Sequence, residues 1–202
     1  MQDFYSDFPK RIEHFHKYEP RAFCYDLAMN LVNQAKNNDS ENWYIHSKTI
    51  EGIILLLFCW NFAAIKTKEL TKTKVENLLR ANKDKLKALE KYDIMDFSSS
   101  LYNNISKVFK TFKNIFGQTG ASKALSLLNP KLFVMWDTKI RKGLNKKKIM
   151  SRIGNGEKAE HYLKFLEQIK RIIETEKLLE RNIKREEIAK KIDEFHYAKI
   201  VL

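Results

Sequence analysis

One carboxylate stands alone in the most basic part of the chain. Between Phe97 and Arg152 there are twelve lysines and arginines, among them Lys107, Lys110, Lys113, Lys139, Arg141 and Lys142, and a single acid, Asp137. That stretch holds a net charge of +11 out of +13 for all 202 residues. Charge kept for solubility alone would be interleaved with acids, as it is after Glu157. Its concentration in a quarter of the molecule fits a polyanionic partner, because each neutralised phosphate releases condensed counterions. Asp137 follows the apolar string from Leu132 to Trp136 and precedes TKIRK, where a carboxylate serves as a helix N-cap. A capping carboxylate can still present its second oxygen to a substrate. Beside a nucleic-acid groove it would stabilise an oxocarbenium ion or orient a water during glycosidic cleavage.

Upstream of Asp137 lies FGQTGASKAL. Gly117 and Gly120 between two helical stretches let backbone amides approach a phosphate, and the N-terminus of the second helix adds a favourable dipole. Gly117, Gln118, Thr119, Gly120 and Ser122, with Lys139, Arg141 and Lys142, are therefore the expected DNA contacts. Contacts of this kind hold a duplex without reading its sequence.

Residues 114–142 resemble the helix-hairpin-helix DNA glycosylase superfamily, the group containing endonuclease III and the 8-oxoguanine glycosylases. FGQTGASKAL looks like its hairpin, and VMWDTKIR looks like its aspartate at the head of the next helix. The resemblance implies base-excision repair, with Asp137 as the catalytic aspartate. Lys123 would be the lysine that forms a Schiff base in members with lyase activity. Such a lysine must be a free amine, which burial or neighbouring positive charge favours. Spacings differ from the family pattern. The glycines read GQTG where the family has them one residue apart, and 14 residues separate Lys123 from Asp137, a shorter interval than usual. Lys123 also directly precedes Ala124, where the family has one more residue between, so Ser122 is the alternative occupant of the lysine position. With Ser122 there, the resemblance implies a monofunctional glycosylase or an inactive relative. The chain's 2 cysteines, Cys24 and Cys59, exclude a four-cysteine iron–sulfur cluster.

A glycosylase swings its base out of the stack into a pocket often lined by aromatics. Trp136 and Trp60 are the expected wall, with Trp43 and Phe62 available; aromatics at helical spacing are more often core. Asn61, inside an apolar run, needs a partner or a cavity. His14 and His16 do not share a helix face, and His46, His161 and His196 stand apart, so no metal is assigned. No cofactor is expected.

The elements that must hold these groups read as helices. An apolar stripe of Phe23, Leu27, Leu31 and Val32 predicts a helix from Arg21 to about Lys36, followed by a loop at 37–42. A mostly apolar helix is predicted over 47–65, and Thr73 with Glu76 has capping-box spacing for a helix through Leu79. Asp96 begins another, with Leu101, Ile105, Val108, Phe109 and Phe112 on one face, ended by Gly117. A short helix over 121–128 stops at Asn129-Pro130, and an irregular bridge leads to Asp137. A long helix after residue 154 turns Tyr162, Phe165, Leu166, Ile169, Ile172 and Ile173 inward. The last helix spans about 185–198. The fold class is all-α, a two-lobed helical bundle read as a single unit over 1–202. Residues 97–152 form its basic hairpin module.

Composition agrees with a packed domain, at 44% hydrophobic and 31% charged residues. Only 9 residues are Gly or Pro, too few for a many-stranded barrel or sandwich. The amino terminus has no apolar signal core. The longest apolar run, Ile53 to Ile65, spans 13 residues, too short to cross a bilayer. The expected setting is therefore intracellular, in the cytoplasm or on the nucleoid, with double-stranded, damaged DNA as partner and no membrane. The function expected is a DNA glycosylase. The alternatives are a non-catalytic helical DNA- or RNA-binding protein of the same fold, or a basic helical interaction module.

Overall fold

The structure, a computed structural model, describes residues 4–60, 70–150, 158–181 and 183–202. All regular structure among them is helical. Eight α-helices run in order: α1 Phe8–Tyr18, α2 Ala22–Asn38, α3 Ser47–Trp60, α4 Lys72–Leu89, α5 Ser99–Leu128, α6 Thr138–Lys146, α7 Ala159–Thr175 and α8 Ile188–Ile200. Short 3-10 turns at Trp43–Ile45, Ile94–Asp96 and Leu178–Arg181 connect them. Buried apolar side chains from Phe4 to Ala198 form one continuous cluster. No described helix is long and apolar enough to cross a membrane. Asn61, Phe62, Arg152 and the GNG segment at 154–156 lie outside the described residues.

α2 faces the core differently from its predicted stripe. Phe23 is 65% exposed and Leu27 39% exposed, while Ala22, Tyr25, Ala28, Val32 and Ala35 are buried. Small inward residues let α3 come close, and Gly52 makes the contact. A Cβ there would stand 2.8 Å from the Ala28 carbonyl oxygen. Cys24 and Cys59, expected as apolar core residues, are half-buried neighbours. Burial first, and then the adjacent Cys24, push the Cys59 thiol up to about 11.

Two expected caps shift by a few residues. Thr71, not Thr73, caps α4, accepting a hydrogen bond from the Lys74 amide at 3.2 Å, and the helix continues to Leu89. Asp96 does not open α5. It closes a capping box with Asp93 around the 3-10 turn, and Ser98 takes the N-cap position of α5. α1, not among the helices expected from the sequence, buries Phe8 and Phe15 and packs on α8.

α5 has two limbs. Gly117, at φ 68° and ψ 174°, is the single non-helical residue inside it. An L side chain is strained in that conformation, so glycine is what allows the break. Leu101, Ile105, Val108, Phe109 and Phe112 of the first limb all face inward. Every residue from Gly120 to Leu128 in the second limb is buried.

Candidate functional site

The bridge from Leu132 to Trp136 is buried throughout and fastened at both ends. At its start, the Asn129 side-chain amide donates to the Leu89 carbonyl at 3.0 Å, and the Ile94 amide donates to the Lys131 carbonyl at 2.9 Å. Further along, the Tyr162 hydroxyl donates to the Val134 carbonyl at 2.8 Å. The Trp136 amide donates to the Ser122 hydroxyl oxygen at 2.9 Å, and that hydroxyl donates to the Thr119 carbonyl at 2.9 Å. These bonds fix where Asp137 begins α6. Its carboxylate accepts from the Lys139 amide at 2.8 Å, the N-cap contact that the sequence predicted.

Lys123 reaches the same place from the second limb of α5. Its side chain is 2% exposed and its Nζ lies 3.6 Å from Asp137 Oδ2, whose side chain is 24% exposed. The carboxylate is the solvent-facing member of the pair. Nζ also donates to the Trp60 carbonyl at 2.7 Å and sits 5.3 Å from the centre of the Trp60 ring. Burial pulls the Lys123 pKa below its ordinary value; Asp137 and Asp193 oppose that pull, and Arg21 adds to it. The neighbouring residue Ser122 spends its hydroxyl on backbone groups and does not face Asp137 in this way.

The third charged partner, Asp193 of α8, was not singled out by the sequence reading. It is buried, and burial above all raises its carboxyl to about 7. Lys190 and Lys123 counter the rise, while Glu194 and Asp137 reinforce it. Asp193 and Lys123 influence one another through charge alone. The available signal was position: Asp193 falls four residues after Ala189 and three before His196 on a face where both neighbours are buried.

Around this core the aromatics divide. Trp60 is half-buried and donates from its indole nitrogen to the Arg21 carbonyl at 2.8 Å, with the Arg21 guanidinium 4.5 Å above its ring. Arg21 is held by Glu19 at 2.6 Å and by the Tyr197 hydroxyl. Trp60 therefore borders the Lys123 amine. Trp136 is instead part of the aromatic core, with ring centres 5.6 Å from Phe165 and 5.8 Å from Tyr162.

The expected DNA contacts remain near the surface, with two exceptions, Gly120 and the fully buried Ser122. Gly117, Lys139 and Lys142 are exposed, Gln118, Thr119 and Arg141 are half-buried, and Gly120 is buried inside the second limb. Among the described residues no group of three or more His, Cys, Asp or Glu is placed to hold a metal ion. Comparison with protein-family patterns, with curated proteins and with solved structures finds no match to this chain.

Proposed function

We propose that this chain is a DNA glycosylase of the helix-hairpin-helix kind, acting in base excision with Lys123 as an amine nucleophile. The observation that carries the reading is the buried Lys123 amine 3.6 Å from the Asp137 carboxylate at the head of a helix. The chemistry then follows from the groups present. As the bond between C1′ and the base nitrogen lengthens, the base leaves with the bonding pair and positive charge grows on the sugar. Asp137 stabilises that charge. Lys123, as the free amine that its burial favours, attacks C1′ with its lone pair. Opening of the C1′–O4′ bond, with a proton passing to O4′, leaves a Schiff base between Lys123 and the opened sugar. Backbone amides after the Gly117 break, with Lys139 and Lys142, hold the phosphates.

The test is borohydride trapping on duplexes bearing oxidised, deaminated, alkylated or abasic sites, with wild type beside Lys123→Gln and Asp137→Asn. The expected result is a covalent adduct with wild type, lost in Lys123→Gln, on one class of lesion. Alkali-revealed breaks that depend on Asp137, without an adduct, would leave a glycosylase and remove the nucleophile role of Lys123.

A second reading has its own support. Asp137 caps α6, and Lys123, tethered to the Trp60 carbonyl, has the surroundings of a structural ion pair. A helical DNA- or RNA-binding protein without catalysis would keep those contacts. Duplex binding with neither product across the whole panel would establish it.

A further inference from the structure

The first limb of α5 and the start of α7 enclose a cleft of about 470 Å³ lined by Lys107, Lys110, Lys113 and Lys158, with Ser106 and Glu160. Lys107, Lys110 and Lys158 are exposed and Lys113 is half-buried. Spaced three residues apart, the α5 lysines form one stripe along the helix. Lys158 comes from a different element, at the N-cap of the 17-residue helix α7. Glu160, the one acid in the lining, leaves the cleft strongly cationic.

We propose that this cleft binds the phosphodiester backbone of a nucleic acid, as a site separate from the Lys123–Asp137 pair. The proposal rests on the nucleic-acid part of the function above and not on its chemistry. Several features select phosphate. Every cation in the cleft is a lysine, a point charge that meets a phosphate's oxygens without fixed geometry, as contacts that hold a backbone without reading sequence require. Ser106 adds a neutral donor. From Lys107 to Lys113 the helix rises roughly 9 Å, room for two or three backbone steps at roughly 3.4 Å along one strand. Lys113 precedes Gly117 by one turn of helix. A strand lying along the cleft would thus run toward the break where the limb carrying Lys123 begins.

The experiment measures full-length protein binding a fluorescein-labelled 20-base-pair undamaged duplex by anisotropy, across a series of potassium chloride concentrations. Lys113 already takes part in an interaction of its own, so the variant is Lys107→Gln/Lys110→Gln/Lys158→Gln. A control removes equal charge outside the cleft, as Lys10→Gln/Lys87→Gln/Lys91→Gln. The expected result is a loss of affinity of at least about tenfold in the cleft variant. The slope of log affinity against log salt should flatten by about two to three, with the control shifted far less. A cleft variant matching the control, while wild type binds duplex, overturns the cleft proposal and leaves the nucleic-acid reading standing. Wild type that binds no duplex overturns both. Tight binding of pyrophosphate that depends on the cleft lysines and does not displace duplex assigns the cleft to a free phosphorylated molecule and overturns the proposal. Thermal melting of each variant shows that it is folded.

Discussion

Around His196 burial has removed a charge, and around Asp193, one turn earlier on α8, charges have been kept together. The His196 ring is 2.8 Å from the Tyr5 hydroxyl and packs near Phe4 and Phe195; burial lowers its pKa to about 3, so it is neutral. Phe195 stacks on Tyr5 and Phe8, closing the amino-terminal arm over the helix. Asp193 instead shares its surroundings with Lys123, Lys190, Glu194 and Asp137. Burying charge costs free energy that replacing the group by an apolar one would recover, so a site that keeps several buried charges points to a use beyond stability. The first cluster does what packing requires. The second keeps charge where packing alone would have removed it.

The largest separation between the two should come from Asp137→Asn. Asparagine is as good an N-cap as aspartate, so α6 should keep its stability. Glycosylase turnover on the lesion found by trapping should fall by about 10²–10⁴-fold, and unchanged turnover would return Asp137 to a capping role. Phe195→Ala, on the other side of the comparison, should cost about 3–5 kcal/mol by denaturant unfolding. Adduct formation per folded molecule should stay as in wild type.

The two groups should also respond oppositely to pH. The Asp193 carboxyl is raised in the folded state, so its contribution to stability is complete below about 4 and disappears as pH rises to about 7. His196 is lowered, so its contribution is complete above about 6.5 and is lost as pH falls toward about 3. Melting temperatures for Asp193→Asn should therefore gain on wild type as pH rises through 4 to 7, by on the order of 5 °C. His196→Gln should gain on wild type in the opposite direction, below pH 6.5. Parallel curves for the two variants would dissolve the contrast. The smallest effect tests how α6 is docked. A Cβ at Gly143 would lie 2.2 Å from Ile200 Cγ2, a methyl fixed on the β-branched carbon of a helical residue, and 3.3 Å from Ile200 Cβ itself. Gly143→Ala should destabilise by about 1–2 kcal/mol, overpacking outweighing the gain in helix propensity, and shift turnover only if the position of Asp137 follows the α6–α8 contact.

Periodicity made the helices legible where large apolar residues mark the buried face. All six inward positions read for α7 are buried, as are the five read for the first limb of α5. It misled on α2, where alanines line the tight contact and Phe23 and Leu27 face outward. A stripe of alanines carries little hydrophobic contrast. At the site, Asp137 was visible because a lone acid before a helix is a local pattern. Lys123 was visible only by resemblance, and its partner Asp193 lies 70 residues away in sequence, beyond any spacing rule. The lysine cleft is hidden for the same reason, since Lys158 joins the α5 stripe only through the packing of α7.

Gly117 has a consequence for the handedness of the chain itself. No atom lies within 4 Å of where an L side chain would project, so room is not what forbids one; the positive φ is. Reflected through a mirror, φ 68° and ψ 174° become ordinary extended backbone, the region that every L-residue occupies with ease. The break in α5 is thus an L-chain's borrowing, at one residue, of the conformation natural to a D-residue. Protein made by chemical ligation with D-alanine at 117 should keep the break and gain about 0.4–1 kcal/mol from a less flexible unfolded state, whereas L-alanine at the same position should destabilise it.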